Sequence, residues 1–233
     1  MYQSTKIIEE LEGAFATTDL NAISLVKKAL AENIDIKLIS KAIVDGVEKA
    51  ERISLGDIVF QGSHKAWGNN ITFIVYYMVN EALKILKPNL HPWLGKNFVI
   101  GMAKNAVHNI GKNVVSSLAE IAGFEVFDMG IDVPPETFIE KVKEVNADVL
   151  GISSMYPNGF NNIKRTISLL EGEGLKNRVK VIIAGSMIKE MAEEWGADAY
   201  GQCASLSINV IKHLLNIETF PSDKLGEGII VKG

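Results

Sequence analysis

The sequence predicts an α/β protein: an N-terminal four-helix bundle followed by a flavodoxin-like (Rossmann-like), doubly wound, five-stranded parallel sheet. Three observations predict it. Apolar residues recur at helical spacing up to about Leu86. The segment PNLHPWLGK then breaks the periodicity with two prolines and a glycine. Beyond it, short apolar runs alternate with amphipathic stretches, and strands this apolar belong to a parallel sheet covered on both faces. The expected organisation is a helical bundle over 1–87, a linker over 88–96, an α/β domain over 97–217 and a tail over 218–233.

Each element has its own signal. Ile7, Ile8, Leu11 and Ala14 mark the first helix. Ile23, Val26 and Leu30 mark the second, with Asp19 and Asn21 as candidate caps and Asn33 as its stop. Ile36, Ile39, Ile43 and Val47 mark the third. The fourth runs from near Asn70 to Leu86 and ends at Lys87–Pro88. It is apolar almost all round (Ile71, Phe73, Ile74, Val75, Tyr76, Tyr77, Met78, Val79), so it is either bundle core or a face for a partner. The strand candidates are Phe98–Met102, Glu125–Met129, Asp148–Ser153, Val179–Ala184 and a weaker one at Ala199–Tyr200. Helical stretches fall at about 110–122, 134–145, 159–172, 186–195 and 204–216. The tail ETFPSDKLGEGIIVKG has turn residues and one apolar triplet, and suggests no role.

Composition narrows the function. Among 233 residues, 24 Lys and Arg face 28 Asp and Glu, a formal net charge of -4. A mildly acidic chain without a basic stripe has no field that draws in nucleic acid. The lone Cys203 excludes an internal disulfide and any multi-thiolate zinc or iron–sulfur site. MYQSTKIIEELEG lacks the basic-then-apolar layout of a signal peptide, and Ile71–Val79 is too short to span a bilayer as a helix. The expectation is a cytoplasmic protein with neither a membrane nor a nucleic-acid partner.

In a doubly wound sheet, ligands bind beyond the carboxyl ends of the strands, where the strand order reverses. Flavodoxin-like order selects the loops after the first and third strands, Ala103–Ile110 (AKNAVHNI) and Ser153–Gly159 (SSMYPNG). These loops hold His108, Asn105, Asn109, Ser153 and Ser154, while His64, His91 and His213 lie elsewhere. A neutral imidazole is a good transition-metal ligand. On position alone, His108 could equally cap the next helix or face water. A phosphate-switched receiver domain has the same topology but needs acids after the first strand and an aspartate ending the third. Ala103–Lys104–Asn105 and Ile152–Ser153 stand there instead. Nor is AKNAVHN the hydroxyl- and glycine-rich phosphate loop of a flavodoxin.

The string HNIGKNVVSSLAEIAGFEVFDMGIDVPPETFIEKVKEVNADVLGISSM resembles the cobalamin-binding domain of corrinoid proteins from methyltransferase systems, a domain also found in cobalamin-dependent methionine synthase. That family carries D-x-H-x-x-G, then S-x-L, then a G-G pair. The bundle ending in LKP is similar to the helical cap domain of these carriers, so the resemblance covers about residues 5–216. It implies cobalamin as cofactor, with His108 binding cobalt in place of the cofactor's own base, Gly111 giving the nucleotide tail room, Ser153 bonding to the nucleotide base in its slot, Met155 standing where the motif has leucine, and Asn109 and Ile110 also binding the cofactor. Gly185 and Ser186 stand at the G-G pair, and Tyr200 and Gly201 line the slot's far end. By the same resemblance, the bundle would shield the upper face, with Trp67, Phe73, Tyr76 and Tyr77 as candidates.

The chain also departs from the family pattern. Ala106 replaces the aspartate that orients the histidine and raises its basicity. Asn105 replaces a glycine, Gly159 stands where relatives place a relay hydroxyl, and Pro157 and Asn158 replace a threonine-rich run. The segment Asp57–Asn70 is longer than in ordinary carriers. The resemblance implies a methyl carrier, a non-catalytic or co-catalytic subunit with no catalytic residue of its own. Its partners would be a substrate-specific methyltransferase, an acceptor methyltransferase and a reductive activase. The alternative is a cobalamin sensor, store or delivery protein without turnover, which the missing aspartate favours. With Ala106, His108 is expected to be held loosely.

Overall fold

In a computed structural model, residues 2–59, 70–187 and 189–218 are described. Trp67, most of the segment Asp57–Asn70 and all but the first residue of the tail lie outside them. The chain divides into two compact units, one of residues up to Trp93 with Glu120–Gly123, the other of Leu94–Ala119 and Phe124 onward.

The first unit holds four helices: α1 (Tyr2–Ala16), α2 (Ala22–Ala31), α3 (Ile36–Val59) and α4 (Asn70–Leu86). Ile7, Leu11 and Phe15 of α1 pack with Val26 of α2, Ile39, Ile43 and Val47 of α3, and Met78, Val79 and Leu86 of α4 in a core closed to solvent. Gly46 permits the closest approach. A Cβ there would stand 2.5 Å from Phe15 Cβ and 2.6 Å from the Glu12 carbonyl oxygen. Asn33 stops α2 as expected, in left-handed conformation (φ 53). The Ile34 amide reaches back to the Ala29 carbonyl at 3.0 Å, which closes a Schellman turn. The capping at the other end differs from expectation. Asn21 is helical and makes no side-chain cap, and Asp19 Oδ1 instead accepts the Asn21 amide at 2.9 Å. Although α4 reads as apolar all round, it buries one stripe (Val75, Met78, Val79, Ala82, Leu86) and leaves Phe73 and Tyr77 about half exposed.

The second unit is a five-stranded parallel sheet in the order β2-β1-β3-β4-β5. Its strands are β1 (Asn97–Met102), β2 (Glu125–Asp128), β3 (Val149–Ser154), β4 (Lys180–Gly185) and β5 (Ala199–Gly201). The intervening helices are α5 (Ile110–Ile121), α6 (Pro135–Glu144), α7 (Phe160–Gly172) and α8 (Lys189–Trp195), and α9 (Ala204–Leu214) follows β5. Val99, Leu150, Ile152, Val181 and Ile183 meet Phe138 and Val142 of α6, Ile163 and Ile167 of α7, and Ala192 of α8 in one core layer. Strand pleat sends Phe98, Ile100 and Ile182 to the opposite face, where they are also buried. This is the expected architecture, and the strand order reverses between β1 and β3.

Candidate functional site

Parallel register sets the carboxyl edge of the sheet. Met102 pairs with Ser153, Ser153 with Ala184, and Ala184 with Gly201. One residue further on, Ser154 pairs with Gly185. Ser153, Gly185 and Gly201 therefore belong to adjacent rows on that edge, and Tyr200 precedes Gly201 with its ring half buried. Burial pushes the Tyr200 phenol up from its usual value, with a smaller push from Cys203.

The loop after β1 is fixed at its start and open at its end. The Ala103 amide donates to the Ser153 carbonyl at 3.0 Å, and Asn162 Nδ2 donates to the Lys104 carbonyl at 3.1 Å. Asn105 takes a left-handed conformation (φ 70), and its amide donates to Asp132 Oδ1 at 2.8 Å. Lys104 Nζ lies 3.2 Å from the other oxygen of Asp132. The Asn105 amide, and then the Lys104 ammonium, hold the Asp132 carboxyl below its ordinary value. Ala106 is buried, and its carbonyl accepts the Asp132 amide at 3.1 Å. After this clamp the chain turns outward, with Val107 and His108 both exposed. Asn109 closes the loop, its carbonyl accepting the Asn113 amide at 2.8 Å in the first turn of α5, and Ile110 and Gly111 open that helix, both partly buried.

The loop after β3 comes to meet His108. The Tyr156 ring lies edge-on to the imidazole, with centroids 5.0 Å apart and planes at 75°. Such a contact is worth about 0.5–1.5 kcal/mol, and exposure puts this one at the low end. Among the described residues neither nitrogen of His108 has a hydrogen-bond partner, and no carboxylate orients it. Tyr156 itself is well held. Ser154 Oγ donates to its carbonyl at 2.8 Å, and the Gly159 amide donates to the same carbonyl at 3.1 Å. Gly159 ends a short 3-10 turn (Pro157–Gly159), and a Cβ there would stand 2.4 Å from Ser154 Oγ.

Gly185 has a conformational reason to be glycine. Its φ is 118, and a Cβ would stand 2.0 Å from the Ser154 carbonyl oxygen. That carbonyl instead accepts the Ser186 amide at 3.0 Å, which leaves Ser186 exposed beside the edge. The Ser153 hydroxyl, on the opposite face of β3 from Ser154, has no hydrogen-bond partner among the described residues, and Met155 beside it is partly buried.

Three features were missed in the sequence. Tyr156 is one. Another is Lys112, whose side chain is only 2% exposed and whose ammonium lies 2.6 Å from Asp128 Oδ1 at the end of β2. A cation in the first turn of a helix works against the helix dipole, and that was the available signal that a carboxylate holds it. The third is an apolar fringe. Among the described residues of the second unit, the large hydrophobic residues exposed by about half are Val107, Ile131 and Tyr156, one in each loop after β1, β2 and β3.

Residues 96–212 match the family described as B12 binding domain. The chain belongs to that B12-binding family. It is 34% identical over 213 residues to dimethylamine corrinoid protein 1 of Methanosarcina acetivorans, an alignment spanning 90% of this chain and 98% of that one. Among solved structures it is similar to a cobalamin-binding protein from Desulfitobacterium hafniense, with a TM-score of 0.70 and 28% identity over 91% of this chain and 98% of the other. The monomethylamine corrinoid protein of Methanosarcina barkeri, 22% identical with a TM-score of 0.55 over 90% and 99% of the two chains, shares the fold. This B12-binding protein therefore stands among the corrinoid proteins of methyltransferase systems. No helix among the described residues is long and apolar enough to cross a membrane.

Proposed function

We propose that this protein is a methyl carrier that holds cobalamin over the carboxyl edge of its sheet, with His108 as the cobalt's lower ligand. Its partners are a methyltransferase that delivers the methyl group, a second that removes it to an acceptor, and a reductive activase. The observation that carries the reading is the meeting of two loops at the point where strand order reverses. His108, its nitrogens unengaged, stands beside Tyr156 on an apolar fringe of Val107 and Ile131.

The residues present fit the group. His108 would offer an imidazole nitrogen, a donor of the kind a cobalt ion accepts. The apolar fringe suits the flank of that ring. The unpartnered Ser153 hydroxyl suits a polar atom of the nucleotide tail, as Gly111, Gly185 and Gly201 suit its close passage, with Asn109, Ile110, Met155, Ser186 and Tyr200 beside it. When bound, cobalamin supplies a cobalt centre that accepts and releases a methyl group. The chain's own part is to bind, orient and shield. No side chain here needs to gain or lose a proton, and we assign no catalytic residue.

A second reading, a cobalamin store or sensor without turnover, draws on Ala106: no carboxylate orients His108 or raises its basicity. Tight binding together with failure to accept a methyl group from any methyltransferase would establish it. The first test is simpler. Hydroxocobalamin is mixed with the protein and the excess removed by desalting. A retained, coloured, base-off spectrum is expected, and a colourless protein would overturn both readings.

A further inference from the structure

We propose that Tyr156 is a positioning residue for His108, orienting the imidazole through ring contact where no carboxylate does so. The inference rests on the cobalamin reading above. It starts from how differently the two partners are held. His108 follows a clamp that ends at Ala106, and from Val107 onward no hydrogen bond among the described residues ties the loop down until Asn109. Tyr156 sits on a turn fixed three times over: by Ser154 Oγ to its carbonyl, by the Gly159 amide to the same carbonyl, and by its own amide 3.4 Å from Ser154 Oγ. The missing side chain of Gly159 gives Ser154 Oγ the room to do this. An exposed imidazole without a hydrogen bond thus leans on an anchored ring at 5.0 Å and 75°.

The chemistry follows from what the contact lacks. A carboxylate accepting the imidazole N–H would fix the ring plane and also push electron density onto the other nitrogen. An aromatic edge contact restricts the plane and accepts no proton. His108 is thereby aimed without being made more basic, and its strength as a donor is uncoupled from any proton relay. The Tyr156 hydroxyl has no partner among the described residues, so the ring alone acts, and phenylalanine should replace it.

The test compares Y156A and Y156F in the full chain, with two readouts. In the cofactor-free protein at one fixed neutral pH, Y156A should move the His108 ring proton resonances and Y156F should leave them near wild type. After loading with hydroxocobalamin, the imidazole-ligated fraction in the absorbance spectrum should fall about 2- to 10-fold in Y156A and recover in Y156F. The proposal is overturned if Y156A matches wild type in both readouts, if Y156F tracks Y156A, or if the loaded wild type shows no imidazole ligand. A wild type that stays colourless removes the cobalamin reading itself, and the ring resonances still decide the contact. Circular dichroism separates these outcomes from misfolding, which is not expected at a residue 53% exposed.

Discussion

The two edges of the sheet are built on opposite principles. At the amino edge, carboxylates tie strands together. Asp148 accepts the Asn97 amide at 2.9 Å and the Lys96 ammonium at 2.8 Å. Asp198 repeats the arrangement two strands away, accepting the Val181 amide at 2.7 Å and the Lys176 ammonium. Each aspartate follows an alanine and a left-handed helix stop, Asn146 (φ 50) before one and Gly196 (φ 78) before the other. Each alanine amide then reaches back at 2.9 Å, Ala147 to Val142 and Ala197 to Ala192. At the carboxyl edge, by contrast, apolar side chains are exposed, a hydroxyl is unpartnered and an imidazole has no carboxylate. The difference teaches where the chain places its polar pairing: the amino edge is satisfied internally, and the carboxyl edge, where we propose that cobalamin binds, keeps exposed apolar side chains and an unengaged imidazole.

The largest effect should come from breaking the amino edge. D198A strands a Lys176 whose side chain is 13% exposed and removes the acceptor of the Val181 amide. Loss of one partner from a pair this buried costs about 3–5 kcal/mol, to be read from urea unfolding, while the His108 resonances stay near wild type. G185A at the carboxyl edge should cost somewhat less, about 3 kcal/mol, through left-handed strain and the collision with the Ser154 carbonyl. It differs in kind, however. The collision disturbs the turn that holds Tyr156, so the His108 resonances should move as well. Equal silence of both variants at His108 would dissolve the contrast between the edges.

Much of this organisation was legible in the sequence, for physical reasons. Long periodic helices and apolar runs report burial directly, and so α4 ends at Leu86 and the strands fall within a residue or so of their expected bounds. Topology then selected the loops that hold His108 and Ser153, and the family resemblance added Gly185. What escaped depends on pairs distant in the chain. Nothing near Tyr156 announces an imidazole on another loop, and nothing in β2 announces Lys112. The last turn before α8 was also misjudged. Helix was expected from 186, but the Ser186 amide donates to the Ser154 carbonyl at 3.0 Å, the chain bends at Ser186, and α8 begins at Lys189.

A subtler change imports the amino edge's device into the carboxyl edge. A106D puts a carboxylate two residues before His108, at a position now buried. In the free protein it should cost about 1–2 kcal/mol, since a polar group is buried before it finds a partner. In the cobalamin-loaded protein the imidazole-ligated fraction should rise, by up to about 10-fold, as the ring gains an acceptor for its N–H. An unchanged spectrum would mean that the loop cannot turn residue 106 toward His108, and that the two edges differ in backbone path as well as in side chains.

The smallest effect lies in a surface carboxylate of the carboxyl edge. Asp132 holds the Asn105 amide and the Lys104 ammonium, and these partners hold its pKa below the ordinary value near 3.8. Its folded-state value being depressed, its contribution is fully present above that ordinary value and is lost as the pH falls through the lower, folded one. Because the group is at the surface, global stability should hardly register the loss. The local structure should. The Asn105 amide resonance is expected to titrate with a midpoint below about pH 3.8, and D132N should abolish that titration. If the Asn105 amide instead moves only together with Asn97 and Val181, the clamp on the His108 loop is not an independent unit, and the two edges melt as one.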